Sequence, residues 1–246
     1  MKVTTDENNL RVNPRTTADL NRKNFGEEAH PGFILEDEWI DDDRDSEQAW
    51  IDRYNYEASL IIDIINRMKC KTVLEIGSGP GKLSNVIYSN LDDYIVTEYH
   101  LVDKKYAKRE FEKRNYKGKF FVKDLFNSFD KSELNEKYDL LIANDFLEHI
   151  ANPSDIVKSC WEMCHTDSVF FVSVPNWRMK HNFIYRGLFD YDNFIHFMEL
   201  HGFKASMLID SPLKTQSTPK LTSEISMPDE FINSWNWYFV FRPLPE

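Results

Sequence analysis

Three of the chain's eight glycines, Gly77, Gly79 and Gly81, stand within one short window directly behind the apolar run 72–76. The stretch 73–84 reads VLEIGSGPGKLS. Its aliphatic residues suit a buried strand, its alternating glycines a tight turn, and Leu83, Val86 and Ile87 the apolar face of a following helix. Glycine admits left-handed backbone angles and removes the Cβ that would hold a ligand away from the main chain. A strand, a glycine turn and a helix in immediate succession point to an α/β architecture with a ligand at the turn.

The spacing also says which ligand. A dinucleotide-binding turn reads G-x-G-x-x-G, whereas here the glycines alternate with Ser78 and Pro80, and Glu75 sits two residues before the first of them. A carboxylate there faces an ammonium better than a pyrophosphate, so charge complementarity favours a zwitterionic or cationic ligand. These residues resemble motif I of the class I S-adenosylmethionine-dependent methyltransferases, an apolar strand followed by E/D-x-G-x-G-x-G and a helix. The resemblance implies an α/β fold with a Rossmann-like, doubly wound, mostly parallel seven-stranded sheet whose last strand is antiparallel. It also implies S-adenosylmethionine as cofactor and S-adenosylhomocysteine as product.

Residues 94–102, YIVTEYHLV, form the next candidate strand and end at Asp103, where an acid accepts both ribose hydroxyls. Residues 119–122 lead to Asp124 and Leu125, which resemble the family position whose carboxylate takes the adenine amino group while an apolar neighbour covers the ring. Each acid alone is equally a turn former or a helix N-cap. Behind motif I, three acids after three strands fit one nucleoside.

Residues 138–143, YDLLIA, run into Asn144, Asp145, Phe146, Leu147, Glu148, His149 and Ile150. This segment resembles the D-x-L-E-H sequence after the fourth strand of small-molecule O-methyltransferases. Asn144 to Leu147 read NDFL rather than the N/D-P-P-Y/F tetrad that marks amino-methylating DNA enzymes, and Cys70, Cys160 and Cys164 lie away from the Pro-Cys position of cytosine C5 enzymes. Base methylation is disfavoured on both counts. The resemblance implies cofactor contacts from Glu75, Gly77, Ser78, Gly79 and Gly81, from Asp103 and Lys104, from Asp124 and Leu125, and from Asn144.

Helical spacing over 155–164 and the apolar run 168–174 predict a helix and a fifth strand ending in Pro175, Asn176 and Trp177. That V-P-N ending and the RGLFDY of 186–191 are similar to methyltransferases of sugars, quinones and related metabolites. Asp192 is placed to N-cap a helix over 193–201 that stops at Gly202, and 204–210 and 235–241 supply two last strands. The loop that follows RGLFDY in those relatives is shortened here, so the acceptor pocket has to be built differently. Trp177, His181, Tyr185 and Tyr191 are its expected substrate residues, with Phe189 beside them.

A chain of 246 residues suffices for one α/β domain, expected over 49–246 and preceded by a polar and acidic arm over 1–48 with the composition of a flexible segment. No apolar run approaches a membrane span, and MKVTTDENNL lacks the apolar core of a signal peptide, so a cytoplasmic location is expected. Three cysteines suggest free thiols. A net charge of −11 opposes non-specific binding to nucleic acid. The basic cluster Lys104, Lys105, Lys108, Arg109, Lys113 and Arg114 is interleaved with Glu110 and Glu112, as on a solvated helix face. Asp41, Asp43 and Asp45 alternate like a calcium loop but lack its central glycine. From Ala49, apolar residues at helical spacing predict a helix leading into the first strand, with Trp50, Arg53 and Tyr54 as candidates for a lid or for core packing.

Methyl transfer needs an acceptor held in line with the methyl group and relieved of its proton. His149 is the candidate base, since an imidazole titrates near neutrality, and Asp145 is its expected catalytic companion; the alternative is a histidine that only caps or packs the next helix. Asp145, Glu148 and His149 also resemble the E-x-x-E-H metal set of small-RNA 2′-O-methyltransferases, with His181 or His196 to complete it, yet the same pattern occurs in metal-free relatives, and no metal is expected. Cys160, Cys164 and His165 read as core rather than as zinc ligands. The expectation is a metal-independent methyltransferase acting on a hydroxyl or amine of a small-molecule or sugar acceptor. A methyltransferase of RNA or protein, and an inactive cofactor-binding module that engages a partner, are the alternatives.

Overall fold

The computed structural model describes residues 4–5, 11–12, 48–91, 96–126, 128–176, 184–185, 187–209, 221–222 and 236–245. Within them, the motif I strand β1 (Thr72–Ile76) is followed by α2 (Lys82–Asn90), and α1 (Gln48–Met68) precedes it. Then come β2 (Glu98–Asp103), α3 (Lys105–Arg114), β3 (Lys119–Val122), β4 (Tyr138–Asn144), α4 (Pro153–Glu162) and β5 (Cys164–Pro175). The chain continues through α5 (Tyr191–Leu200), β6 (Phe203–Ile209), β7 (Leu221–Thr222) and β8 (Asn236–Pro243). A two-residue ladder joins Thr4–Thr5 to Arg11–Val12.

The sheet order is β3-β2-β1-β4-β5-β8-β6-β7. Strands β1 to β5 pair in parallel, and β8 enters antiparallel between β5 and β6. The expected seven strands are all present, and the two-residue β7 adds an eighth at the edge, paired to β6. The order reverses at β1, whose neighbours are β2 and β4, and a crevice for a ligand opens at the carboxyl ends of strands at such a reversal.

Side chains alternate across the strands and build two cores. Leu74, Ile76, Leu141, Ala143, Phe170 and Val172 join α4 and α5 on one face. Val73, Leu140, Ile142, Val169 and Phe171 join α1, α2 and α3 on the other. The first face is dominated by aromatics, with Phe194 against Phe239 at 5.4 Å between centroids and Phe170 against Phe203 at 5.2 Å.

The amino ends of the strands are closed by the protein's own side chains. Asp139 Oδ2 accepts the N–H groups of Lys71 and Thr72, and its Oδ1 lies 2.9 Å from His165 Nε2. Burial pushes that carboxyl up, but the Thr72 and Lys71 N–H groups and His165 outweigh it and hold it below the usual range. His100 Nδ1 lies 2.5 Å from the Tyr138 hydroxyl, and burial lowers the imidazole below its ordinary value.

Some boundaries shift. The helix expected over 193–201 begins at Tyr191, two residues earlier, and Asp190 rather than Asp192 takes the N-cap position. Residues 92–95, where the second strand was expected to open, lie outside the described residues, as do Trp177, His181, Asp41, Asp43, Asp45 and nearly all of the expected arm. Cys70, Cys160 and Cys164 are buried free thiols, with burial raising Cys70 and Cys164 to about 12. No helix among the described residues is long and apolar enough to cross a membrane.

Candidate active site

The glycine turn is pinned from below by the next strand. Gly77 N–H donates to Val102 O at 2.9 Å, and Gly79 N–H to Asp103 Oδ2 at 2.7 Å. All three glycines take left-handed angles, with φ of 69° at Gly77, 51° at Gly79 and 80° at Gly81. At Gly77 the space is closed as well: a Cβ there would stand 2.0 Å from Phe146 Cδ2. The turn thus fits tightly beneath the segment that follows β4, and its glycines carry no Cβ to hold a ligand away from the main chain.

Asp103 closes β2. Its Oδ1 accepts from Lys104 N–H at 2.7 Å and its Oδ2 from Gly79 N–H. Burial pushes the carboxyl up, against those two donors, which pull it down. Each carboxylate oxygen retains acceptor capacity, so a pair of ribose hydroxyls remains compatible with the anchoring. Asp124 is exposed and caps its own turn, Oδ1 accepting from Phe126 N–H at 3.1 Å, while Leu125 is buried in the core beside it. Ser78 is buried in the glycine turn, its hydroxyl donating to Gly79 O at 3.2 Å.

Glu75 departs from the expected part. The sheet's alternation turns it toward α2 and β2, where Ser84 and Tyr99 hydroxyls both donate to Oε2, the latter at 3.0 Å. Only 2% of the residue is exposed, so the carboxylate is a partner of these hydroxyls more than an open acceptor for an ammonium. Burial pushes its carboxyl up to about 7, against the hydroxyls, and Asp103 and Glu57 push the same way. The folded protein therefore holds a proton between about 4.5 and 7 that the unfolded chain has lost, and this group's contribution to stability fades as pH rises through that window. Urea unfolding at about pH 4 and about pH 8 should show wild type losing stability relative to Glu75→Gln by on the order of 3 kcal/mol. Parallel pH profiles would mean that the carboxyl is already ionised when folded.

The carboxyl ends of β4 and β5, with the amino end of the antiparallel β8 beside them, carry a polar network that sequence reasoning missed. Register explains it: Asn144 pairs with Ser173, and Ser173 with Tyr238, so the three stand in one row across the sheet on the face covered by α1. Asn144 Nδ2 donates to Glu57 Oε2 at 3.0 Å, and the one Ser173 hydroxyl hydrogen is shared between Asn144 Oδ1 at 2.9 Å and Asp145 Oδ1 at 2.7 Å. From α1, Arg53 donates through Nε to Glu57 at 2.7 Å and through Nη2 to Asp145 Oδ2. Burial alone would lower the Arg53 guanidinium, but the Glu57 carboxylate outweighs it and raises the group above its ordinary value. The signal for Glu57 was an acid on the apolar face of α1 beside Ala58 and Ile61, spaced one helical turn from Arg53.

Asp145 was expected beside His149 as a catalytic group, and the structure uses it differently. Oδ1 accepts from Ser173 at 2.7 Å and Asn236 at 2.6 Å, and Oδ2 accepts from Arg53. The residue itself takes a left-handed φ of 47°, a conformation that costs a non-glycine residue energy and persists where the surroundings hold it. Asp145 is the anchor of the turn after β4. His149 lies on the single 3₁₀ turn Leu147–His149, its side chain 23% exposed and its Nε2 3.7 Å from Oε1 of the fully buried Glu148. No three His, Cys, Asp or Glu side chains among the described residues gather into a set able to hold a metal ion.

Of the expected substrate residues within the described part, Tyr185 donates its hydroxyl to Ala151 O at 2.7 Å. Tyr191 is corrected: it is 2% exposed and packs edge-on against Trp237 at 5.7 Å. Starting the helix at Tyr191 rather than after it turns this ring into the core. Phe189 is likewise buried, stacked on Phe194 at 5.5 Å.

Residues 49–207 match a family model described as a methyltransferase domain. The chain belongs to the methyltransferase domain family. It is 28% identical over 119 residues to a ubiquinone biosynthesis O-methyltransferase of Glaesserella parasuis serovar 5 (strain SH0165), covering 47% of this chain and 50% of that protein. The chain thus spans about half the length of that curated relative. In fold, the methyltransferase is similar to an S-adenosylmethionine-dependent methyltransferase from Clostridium acetobutylicum ATCC 824, with a TM-score of 0.54, 10% identity, and coverage of 76% of this chain and 91% of that one. It is also similar to human N-acetylserotonin methyltransferase in complex with SAM, with a TM-score of 0.52 at 12% identity over 76% of this chain and 52% of that one. The cofactor named for these two structures is S-adenosylmethionine. The tight glycine turn and Asp103 at the reversal of strand order suit such a cofactor.

Proposed function

We propose that this methyltransferase acts on a hydroxyl or amine of a small-molecule or sugar acceptor, with His149 as the base. The observation that carries the reading is the placement of His149 directly beyond the turn held by Asp145, partly exposed and next to a buried carboxylate. The likeness to a ubiquinone biosynthesis O-methyltransferase supports an oxygen acceptor of small size. Gly77, Gly79, Gly81, Asp103 and Asn144 hold the cofactor, which supplies a methyl group on a sulfonium and becomes a thioether when that group is lost.

His149 takes the proton that the acceptor oxygen or nitrogen gives up as its new bond to carbon forms. Glu148, 3.7 Å from the ring and fully buried, stabilises the imidazolium that results. Tyr185 fixes the loop beside the turn through Ala151.

Turnover on a panel of phenols, sugar hydroxyls and primary amines, read as S-adenosylhomocysteine released, tests this. Activity on one of these classes is expected, and His149→Ala should lower kcat by about 10²-fold or more while cofactor affinity stays within about twofold. Undiminished kcat in that variant removes the base from His149. Turnover on RNA or protein with none on the panel overturns the acceptor class.

A further inference from the structure

Glu57 is fully buried, and no step of the chemistry above uses it. A carboxylate without solvent is costly unless donors meet it. Three meet this one: Arg53 Nε at 2.7 Å and the Tyr238 hydroxyl at 3.0 Å on Oε1, and Asn144 Nδ2 at 3.0 Å on Oε2. They come from α1, β8 and the end of β4, so one side chain joins three separate elements.

Its effect on Asn144 is specific. The other partner of that amide, the Ser173 hydroxyl, has a single hydrogen that Asn144 Oδ1 at 2.9 Å shares with the Asp145 carboxylate at 2.7 Å, so it is a weak determinant of which way the amide faces. Glu57 accepts only, and turning the amide over would set oxygen against oxygen. The carboxylate therefore selects one orientation of Asn144 at the mouth of the cofactor crevice. The same carboxylate directs the Arg53 guanidinium so that Nη2 reaches Asp145, the anchor of the turn that bears Phe146 and His149.

We infer that Glu57 is a positioning residue of the cofactor site, acting on the cofactor through Asn144 as it ties α1 to the end of β4. This rests on the proposed contact between Asn144 and the cofactor. A merely architectural Glu57 would affect melting temperature and leave cofactor affinity alone.

The test is a double-mutant cycle read by calorimetric titration with S-adenosylmethionine: wild type, Glu57→Gln, Asn144→Ala and the double variant, with melting temperatures measured in parallel. Each single variant is expected to weaken binding about tenfold, and the double variant no further than Asn144→Ala alone. Additive losses in the double variant, or wild-type affinity in Glu57→Gln whatever its melting temperature, would overturn the inference. Wild-type affinity in Asn144→Ala would remove the contact it rests on, and the inference with it. If Glu57→Gln does not fold, Tyr238→Phe decides: it removes one donor to Glu57 and keeps the ring. It should weaken binding about twofold to threefold in the wild-type background and have no effect beside Asn144→Ala. Any other pattern sinks the proposal.

Discussion

Gly77→Ala is expected to weaken S-adenosylmethionine binding by more than about 100-fold, equivalent to roughly 3 kcal/mol. Two costs act together. The left-handed angle at this position, φ 69°, penalises any L side chain by about 1–2 kcal/mol. The new methyl group would also stand 2.0 Å from Phe146 Cδ2, so something has to move. The turn cannot yield easily, because Gly77 N–H is bonded to Val102 O and Gly79 N–H to Asp103, both on the neighbouring strand. Phe146 moves instead, and the turn Leu147–His149 follows it directly in sequence. Calorimetry checks the affinity, and a second substitution checks the cause: Phe146→Ala beside Gly77→Ala relieves the collision and should recover part of the loss. Unchanged affinity in Gly77→Ala would mean that the glycine turn is not the cofactor's cradle.

The glycine turn was legible in the sequence because its physics is local. A strand, three glycines and a helix occupy a dozen contiguous residues, and a left-handed turn has few other ways to be written. The parallel core of the sheet followed from the resemblance carried by that motif, and the uninterrupted apolar run 168–174 agrees with it. Glu57 was not legible, since its meaning depends on a strand register that brings Asn144, Ser173 and Tyr238 into one row from positions far apart in the chain. The surroundings of Asp145 and Tyr191 were illegible for the same reason. Each was assigned by its place in a local pattern, while its contacts come from other strands: Ser173 and Asn236 for the first, Trp237 for the second. The start of α5 shows the limit at its smallest scale. Asp192 and Asp190 are both suitable N-caps, and it is the burial of Tyr191 that favours the earlier one.

The network around Arg53 leads to the second large effect, this time on stability. Arg53→Met keeps the aliphatic stem but removes the one guanidinium shared by Glu57, which is fully buried, and Asp145, which is 19% exposed. Both carboxylates are left with neutral donors only: Tyr238 and Asn144 for the first, Ser173 and Asn236 for the second. Removing one partner of a buried ion pair costs about 3–5 kcal/mol, which in a domain of this size lowers the melting temperature by roughly 6–20 °C. Thermal unfolding of the two proteins measures this, and adding Glu57→Gln to Arg53→Met should restore part of the loss, because the buried charge left unpaired goes with it. A loss left unchanged by the second substitution would assign it to packing of the Arg53 stem and deny the ion pairs any part in holding α1 to the end of β4.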